Sequence, residues 1–291
     1  MNLWRIVAVI KFKAITEKDW QLVTPTIFPD GTSQIWNLNI DVKNYRPDYT
    51  ILWNFESESE LIQIAQLIDL LSKHGVVKGL NIPYFPYARQ DKEISNKLTF
   101  AKKTFVRFLN SLAVDNILTY DIHSESPYDY PKIINKKPVH IHKAIKDFEP
   151  TCLFFPDEGA LKRYSGMFIE DNSSQFNLLA KMYGTKIRNQ QTGEITNYDI
   201  RKHKHFLDGE RVLIIDDICD GGATFIKAAE ELQKLGVKDI GLCVSHGIFS
   251  KFLTPLFGAG ISKIYTTDSY PTKRALCDDA SLTIYKLEEL E

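Results

Sequence analysis

The chain has 291 residues, 44% of them apolar, and its 36 basic and 37 acidic side chains leave a formal net charge of −1. That is room for two ordinary domains with packed cores. The charges are interspersed, which excludes a broad basic field for nucleic acid or a membrane surface and leaves anion binding to local features.

Taken in order, Ile6 to Phe12 and Ile35 to Ile40 read as strands on either side of a Phe28-Pro29-Asp30-Gly31 turn. The short apolar N-terminus is interrupted by Lys11 and Lys13 and is followed by no small-residue cleavage site, so it reads as a first strand and not as a signal peptide. Tyr49 to Asn54 is a further strand. Ser57 and Glu60 then form a capping-box pattern ahead of a helical stripe, Leu61, Ile64, Ala65, Ile68 and Leu71, closed by His74-Gly75. Gly79 to Pro83 returns as a strand. A polar loop, RQDKEISN, leads to a second amphipathic helix from Leu98 to Leu112 and to a strand from Asn116 to Tyr120. The second half repeats the alternation: a strand from Thr151 to Phe155, a helix near Ala160, a helix from Ser174 to Tyr183, and strands Val212 to Ile215, Ile240 to Val244 and Ile261 to Thr266. Such alternation predicts parallel α/β sheets. A boundary near residue 142 divides the chain into a domain of residues 1–142 and one of residues 143–279, with the segment from about 280 to 291 able to pack back on the first.

The most informative stretch is Arg211 to Thr224, RVLIIDDICDGGAT. Its unbroken apolar run suits a strand covered on both faces, and Ala223, Ile226, Ala229 and Leu232 continue at helical spacing. Between strand and helix lie Asp216, Asp217 and the loop Asp220, Gly221, Gly222, Ala223 and Thr224. Free N–H groups at a helix start favour an anion, and the glycines allow φ > 0 and close approach. The carboxyl end of a strand is also where ligands sit in open α/β sheets, and one of the two acids suits a ligand hydroxyl or Mg²⁺. Elsewhere, Asp121 and His123 share a DxH spacing that places both on one face of an extended segment. Arg89, Gln90 and Asp91 bring a guanidinium fork and an amide to a strand end, suited to a nucleotide. Asp157 is placed to cap the helix near Ala160. Lys186 and Arg188 precede a polar stretch that reads as a flap. Cys152, Cys219, Cys243 and Cys277 are scattered without a CxxC pair, which suits a reducing cytoplasm, and no apolar run is long enough to span a bilayer.

Several of these segments together resemble the ribose-phosphate diphosphokinases, the PRPP synthetases: TIFPDG, IPYFPYARQDKE, LTYDIHSE, PDEGALKR, KIR, the DD-to-Thr224 loop and SHGIFS, in the family's order along nearly the whole chain. The resemblance implies an α/β fold of two phosphoribosyltransferase-like domains, each a central, mostly parallel sheet flanked by helices. It implies ATP held by Phe28, Asp30, Arg89, Gln90 and Asp91, and a ribose phosphate held by Asp216, Asp217 and residues 220–224. It further implies Mg²⁺ near His123 and Asp157, and Lys186, Arg188 and His123 in the transfer of diphosphate from ATP to the C1 hydroxyl of ribose 5-phosphate, giving PRPP and AMP. A cytoplasmic homo-oligomer, dimer or hexamer, with no nucleic-acid or membrane partner completes the expectation.

Three departures stand out against that pattern. Thr32 replaces an acid, the loop after Asp91 is shorter, and Gly221 stands where a hydroxyl residue is common. The last of these leaves open a 5-substituted acceptor such as ADP-ribose, giving ADP-ribose diphosphate. A non-catalytic regulatory homologue is the other alternative. An ordinary phosphoribosyltransferase would share the loop but would not explain the ATP-like motifs of the first half.

Overall fold

In the computed structural model, strand and helix segments alternate to build two units, Met1–Lys137 with Ser269–Pro271 and Pro138–Asp268 with Thr272–Glu291. The structure describes residues 10–36, 38–40, 46–93, 95–125, 133–170, 179–188, 195–200, 208–271 and 280–290, without the side chains of 168–170, 186–188 and 195–197. The predicted strand residues 6–9, much of the predicted helix from Ser174, Cys277, and the loop that follows Arg188 therefore lie outside the described residues.

The first unit contains, in chain order, β1 (Ile10–Ala14), β2 (Gln21–Leu22), β3 (Thr26–Ile27), β4 (Ser33–Gln34), β5 (Asp48–Trp53), α1 (Glu60–Ser72), β6 (Val76–Asn81), α2 (Ala101–Ser111), β7 (Asn116–Tyr120) and β8 (Ile133–Lys136). Its sheet runs β2-β1-β5-β6-β7-β8, with β5 to β8 parallel and β1 antiparallel to both of its neighbours. Ile51, Trp53, Leu80 and Ile117 from the sheet pack with Ile64, Leu67 and Leu71 of α1 and with Phe105 and Leu109 of α2 in one core. The expected capping box is half realised. Glu60 accepts from the Ser57 backbone N–H at 3.0 Å, and also from the Glu56 N–H and the Trp53 indole, which ties α1 to the end of β5.

One expectation fails here, and one strand forms that the sequence does not signal. The strand predicted from Ile35 to Ile40 does not form among its described residues: β4 stops at Gln34, because the Ile35 N–H is taken by the Gln66 side chain of α1 at 3.0 Å and not by a neighbouring strand. β8 arises within a polar, Lys-rich stretch with no apolar alternation, and it is an edge strand whose side chains are largely exposed.

The second unit contains α3 (His140–Phe148), β9 (Cys152–Phe155), α4 (Glu158–Glu170), β10 (Ala180–Tyr183), β11 (Thr185–Arg188), β12 (Ile195–Asp199), β13 (Arg211–Cys219), α5 (Ala223–Lys234), β14 (Asp239–Gly247), α6 (Thr254–Gly258), β15 (Ile261–Thr267) and β16 (Leu282–Tyr285). Its sheet, β10-β9-β13-β14-β15-β16, is parallel throughout. Alternation assigns the strand residues to two cores. Phe154, Val212, Ile214, Leu242 and Val244 face α5, whereas Phe155, Leu213, Ile215 and Cys243 face α3 and α4.

Ala180 to Tyr183, expected in a helix, forms β10 instead, because β9 offers it a parallel ladder from Cys152 to Phe155. The unit begins at Pro138, a few residues before the expected boundary, since α3 packs on β13, β14 and β15. The C-terminal segment belongs to the second unit, where β16 pairs with β15 through Ile264 to Thr267.

Candidate functional site

In the second unit the site is built at the carboxyl ends of parallel strands. β13 runs four residues beyond the predicted Ile215, because its pairing with β14 continues to Cys219 and Gly247. Asp216 and Asp217 therefore lie inside the strand and face opposite ways. Asp217 is buried, at 2% exposure, and its Oδ2 meets the Arg163 guanidinium of α4 at 2.8 Å. Asp216 is half-buried, and its Oδ1 accepts the Asp217 N–H at 3.0 Å. Burial, and then the neighbouring Asp217 charge, push the Asp216 carboxyl well above the usual carboxylate range. One acid is thus spent on an ion pair, and the other stays partly open to solvent.

The loop that follows has the donors of an anion site. Gly222 sits at φ 78° and ψ −3°, the left-handed conformation in which glycine is the least strained residue. Among the described residues, the backbone N–H groups of Gly221, Gly222, Ala223 and Thr224 donate to no protein acceptor, and no side chain caps α5. Four consecutive donors at the start of a helix of twelve residues make a positively polarised cradle. Gly221 differs from the expectation, because its φ is not in the left-handed region.

Asp157 follows β9, and its Oδ1 accepts the Ala160 N–H at 2.9 Å, so the helix-capping reading holds. Lys186 and Arg188 lie on β11, which pairs antiparallel with β12, although their side chains are outside the description. β12 is fixed at its base. The buried Tyr198 hydroxyl donates to the Pro156 carbonyl at 3.0 Å, and burial raises its pKa above the usual phenol range. A Cβ on Gly184 would lie 2.3 Å from that hydroxyl, so only glycine fits.

His246 is buried beside the buried His140 of α3. Burial, followed by the nearby His246, lowers the His140 pKa to about 3 against the opposing effect of a Val244 backbone hydrogen bond. Both side chains are shut off from solvent.

In the first unit, Phe28, Pro29, Asp30 and Gly31 form the tip of the β3–β4 hairpin. The Phe28 ring meets Trp36 edge-on with centroids 6.0 Å apart. Asp30 is exposed, and its Oδ1 accepts both the Thr32 hydroxyl at 2.7 Å and the Thr32 N–H at 3.0 Å, which lowers its pKa. Thr32, the residue in place of an acid, therefore holds Asp30 in the turn.

Arg89 and Gln90 are exposed and Asp91 half-buried in the segment after β6. The extended DxH face does not form. β7 ends at Tyr120, and Asp121 has a left-handed φ of 44°, so the buried Asp121 and half-buried His123 follow a turn and not a strand period.

The residue that organises these segments was missed in the sequence. Lys102 reads there as a polar position of an amphipathic helix, yet it is fully buried. Its backbone N–H donates to the Gln90 carbonyl at 3.2 Å, its ammonium donates to the Ser124 carbonyl beside His123, and it lies 6.0 Å from the Phe85 ring. Arg163 likewise stands in the sequence only as the end of PDEGALKR. Nothing local to either residue announces its partner.

Among the described residues no three His, Cys, Asp or Glu side chains cluster to hold a metal, and no helix is long and apolar enough to cross a membrane. Magnesium still fits the donors present, because it commonly keeps its waters and binds one or two carboxylates together with substrate phosphates. Asp216 is the carboxylate best placed for that role.

Parallel strands ending in an acid and an open N–H cradle define a phosphoribosyltransferase-type domain, and the family model for the phosphoribosyl transferase domain matches residues 162–252. Over a longer span, the chain is 28% identical to a ribose-phosphate pyrophosphokinase of Pyrococcus abyssi across 84% of this chain and 83% of that one. It is 25% identical to one of Thermococcus kodakarensis across 84% of each. The fold matches the crystal structure of phosphoribosylpyrophosphate synthetase from Mycobacterium smegmatis with a TM-score of 0.72 and 17% identity, over 92% of this chain and 87% of that one. Over most of its length the chain is thus similar to the ribose-phosphate pyrophosphokinases, which are enzymes.

Proposed function

We propose that the protein transfers the terminal diphosphate of ATP to the C1 hydroxyl of ribose 5-phosphate. The hydroxyl oxygen attacks the β-phosphorus, the bond from that phosphorus to the α–β bridging oxygen breaks, and AMP leaves as the hydroxyl gives up its proton. The observation that carries the reading is the cradle of Gly221 to Thr224, four backbone donors beside the half-exposed Asp216. Its donors suit the 5-phosphate, and Asp216 suits the sugar hydroxyls. Arg89, Gln90, Asp91, Phe28 and Asp30 are assigned to ATP on the strength of the family pattern, with Lys102 holding the first of these segments to the turn of His123.

Lys186 and Arg188 are assigned to charge neutralisation in the transition state, since diphosphoryl transfer needs positioning and compensation more than covalent help. Magnesium, held by Asp216, Asp157 and substrate phosphates, would supply further neutralisation of the phosphate oxygens. ADP-ribose is a second acceptor that one observation favours: Gly221 needs no left-handed φ, so its missing side chain leaves space that the backbone does not demand.

The test is AMP release from Mg²⁺-ATP with ribose 5-phosphate or ADP-ribose supplied separately, with phosphorus NMR of the product. A diphosphate at C1 of either sugar supports the transfer, and the preferred sugar identifies the acceptor. AMP release that needs neither acceptor, or no turnover by a folded protein, overturns the reading in favour of a regulatory homologue.

A further inference from the structure

We infer that Lys251 is a specificity-determining residue of the acceptor site, and that it selects sugars whose 5-phosphate carries a second phosphate. The inference rests on residues 220–224 being the acceptor loop. Lys251 follows SHGIFS in the turn after β14, and this turn is fastened to the loop. The Ile248 and Phe249 N–H groups donate to the Cys219 carbonyl at 2.9 and 3.1 Å, and the Ser250 N–H donates to the Asp220 carbonyl at 3.2 Å.

The turn is also strained. Phe249 at φ 47° and Phe252 at φ 62° are non-glycine residues in the left-handed region on either side of Ser250 and Lys251. Strain of this kind persists where surrounding structure enforces it and gathers at functional sites. Here it delivers the Lys251 stem onto the loop. A Cβ on Gly221 would lie 3.5, 3.6 and 3.7 Å from Lys251 Cδ, Cε and Cγ, so the stem lies flat against that glycine.

Those distances are ordinary contacts, and the backbone at Gly221 is not left-handed. Neither packing nor conformation therefore requires glycine there, whereas at Gly222 both do. What the absent side chain provides is a close path for the Lys251 stem along the loop, so that its ammonium ends at the loop's rim. Lys251 is exposed, and no carboxylate among the described residues pairs with its ammonium.

The backbone donors of residues 221–224 suffice for one phosphate. A 5-phosphate monoester holds its whole charge there, but a 5-diphosphate diester spreads its charge over two phosphorus centres. The outer centre then needs a cation at the loop's rim. A flexible ammonium answers a tetrahedral anion without demanding a fixed geometry.

Isothermal titration of the full chain with ribose 5-phosphate and with ADP-ribose tests the idea, using wild type, Lys251→Met, Lys251→Arg and Ala223→Asp. Met keeps the stem over Gly221 and removes the charge. Ala223→Asp puts a carboxylate into the loop at the first helical position, where an acid favours the helix, so the fold is not at risk. The ratio of ADP-ribose to ribose 5-phosphate affinity should fall about five- to tenfold in Lys251→Met, and Lys251→Arg should restore most of it. An unchanged ratio while Ala223→Asp abolishes binding refutes the role of Lys251 and leaves the loop reading standing. Binding that survives Ala223→Asp, or no binding of either sugar by wild type, refutes the loop reading and the inference with it.

Discussion

Gly221 and Gly222 are adjacent glycines with different reasons for being glycine, and alanine at each position separates them. At Gly222 the φ of 78° places any L-residue in the left-handed region, at a cost of roughly 1–2 kcal/mol. The added Cβ would also lie 3.0 Å from Leu256 Cδ2 and 3.4 Å from its Cγ, so Leu256, itself buried, must give way. That adds about 1 kcal/mol of overpacking. Gly222→Ala is therefore expected to destabilise the second unit by about 2–3 kcal/mol. At Gly221 the φ is not left-handed and the nearest atom is the Lys251 stem at 3.5 Å, so Ala should be neutral, or stabilising by up to about 1 kcal/mol through the unfolded chain. The assay is urea denaturation of the ligand-free full chain, with circular dichroism and fluorescence compared so that a separate transition of one unit is seen. Equal losses for the two substitutions would refute the reading, because the difference rests on φ and on Leu256 alone.

Further perturbations probe the supports of the site. Arg163→Met should cost about 3 kcal/mol in the same denaturation assay, because it takes the guanidinium away from the buried Asp217 carboxylate, and adding Asp217→Asn should recover part of that loss. His140 has a pKa depressed below its unfolded value of 6.5, so its contribution to stability is present above that pH and is lost on acidification towards about 3, with a slope of at most ~1.4 kcal/mol per pH unit. His140→Phe should flatten that part of the stability profile, and an unchanged profile would assign it to other groups. Lys186→Ala should lower kcat for AMP release by orders of magnitude with an unchanged circular dichroism spectrum, and wild-type turnover would remove it from the mechanism. Lys102→Met should raise the KM for ATP about tenfold or more with little effect on the KM for the sugar, by loosening the turn of His123 from the Gln90 segment.

The scaffold was legible in the sequence wherever a local period coincided with a tertiary requirement. Val212 to Ile215 is uniformly apolar because both faces of β13 are covered, and Leu61 to Leu71 carries a helical stripe because one face of α1 packs on the sheet. Where a distant partner decides, the sequence is silent. Ile35 ends a strand because of a glutamine in α1, and Ala180 to Tyr183 becomes a strand because β9 offers a ladder. The same holds in the site. The acids and glycines of residues 216–224 could be located, but which acid is spent on Arg163, and which glycine the backbone requires, depend on α4 and on φ. Lys102 is the extreme case, since a lysine on an amphipathic helix is ordinarily solvated and this one is not.

In the second unit these features share one origin. β9, β13 and β14 are parallel neighbours, so their carboxyl ends lie side by side and deliver Asp157, Asp216 with the anion loop, and the turn of Lys251 to the same edge of the sheet. The ion pair of the buried Asp217 with Arg163 and the neighbouring buried histidines His140 and His246 lie just beneath that edge, where they brace the strand ends. Substitution in that lower layer leaves a buried charge or an overfilled contact, whereas substitution at the rim alters only what the edge presents to a ligand. The two residues proposed to bear on an acceptor, Gly221 at the loop and Lys251 against it, both fall in the rim. An altered acceptor preference is therefore the change this architecture accommodates at least cost to its fold, and one that leaves the strands, the cradle and Asp216 where they were.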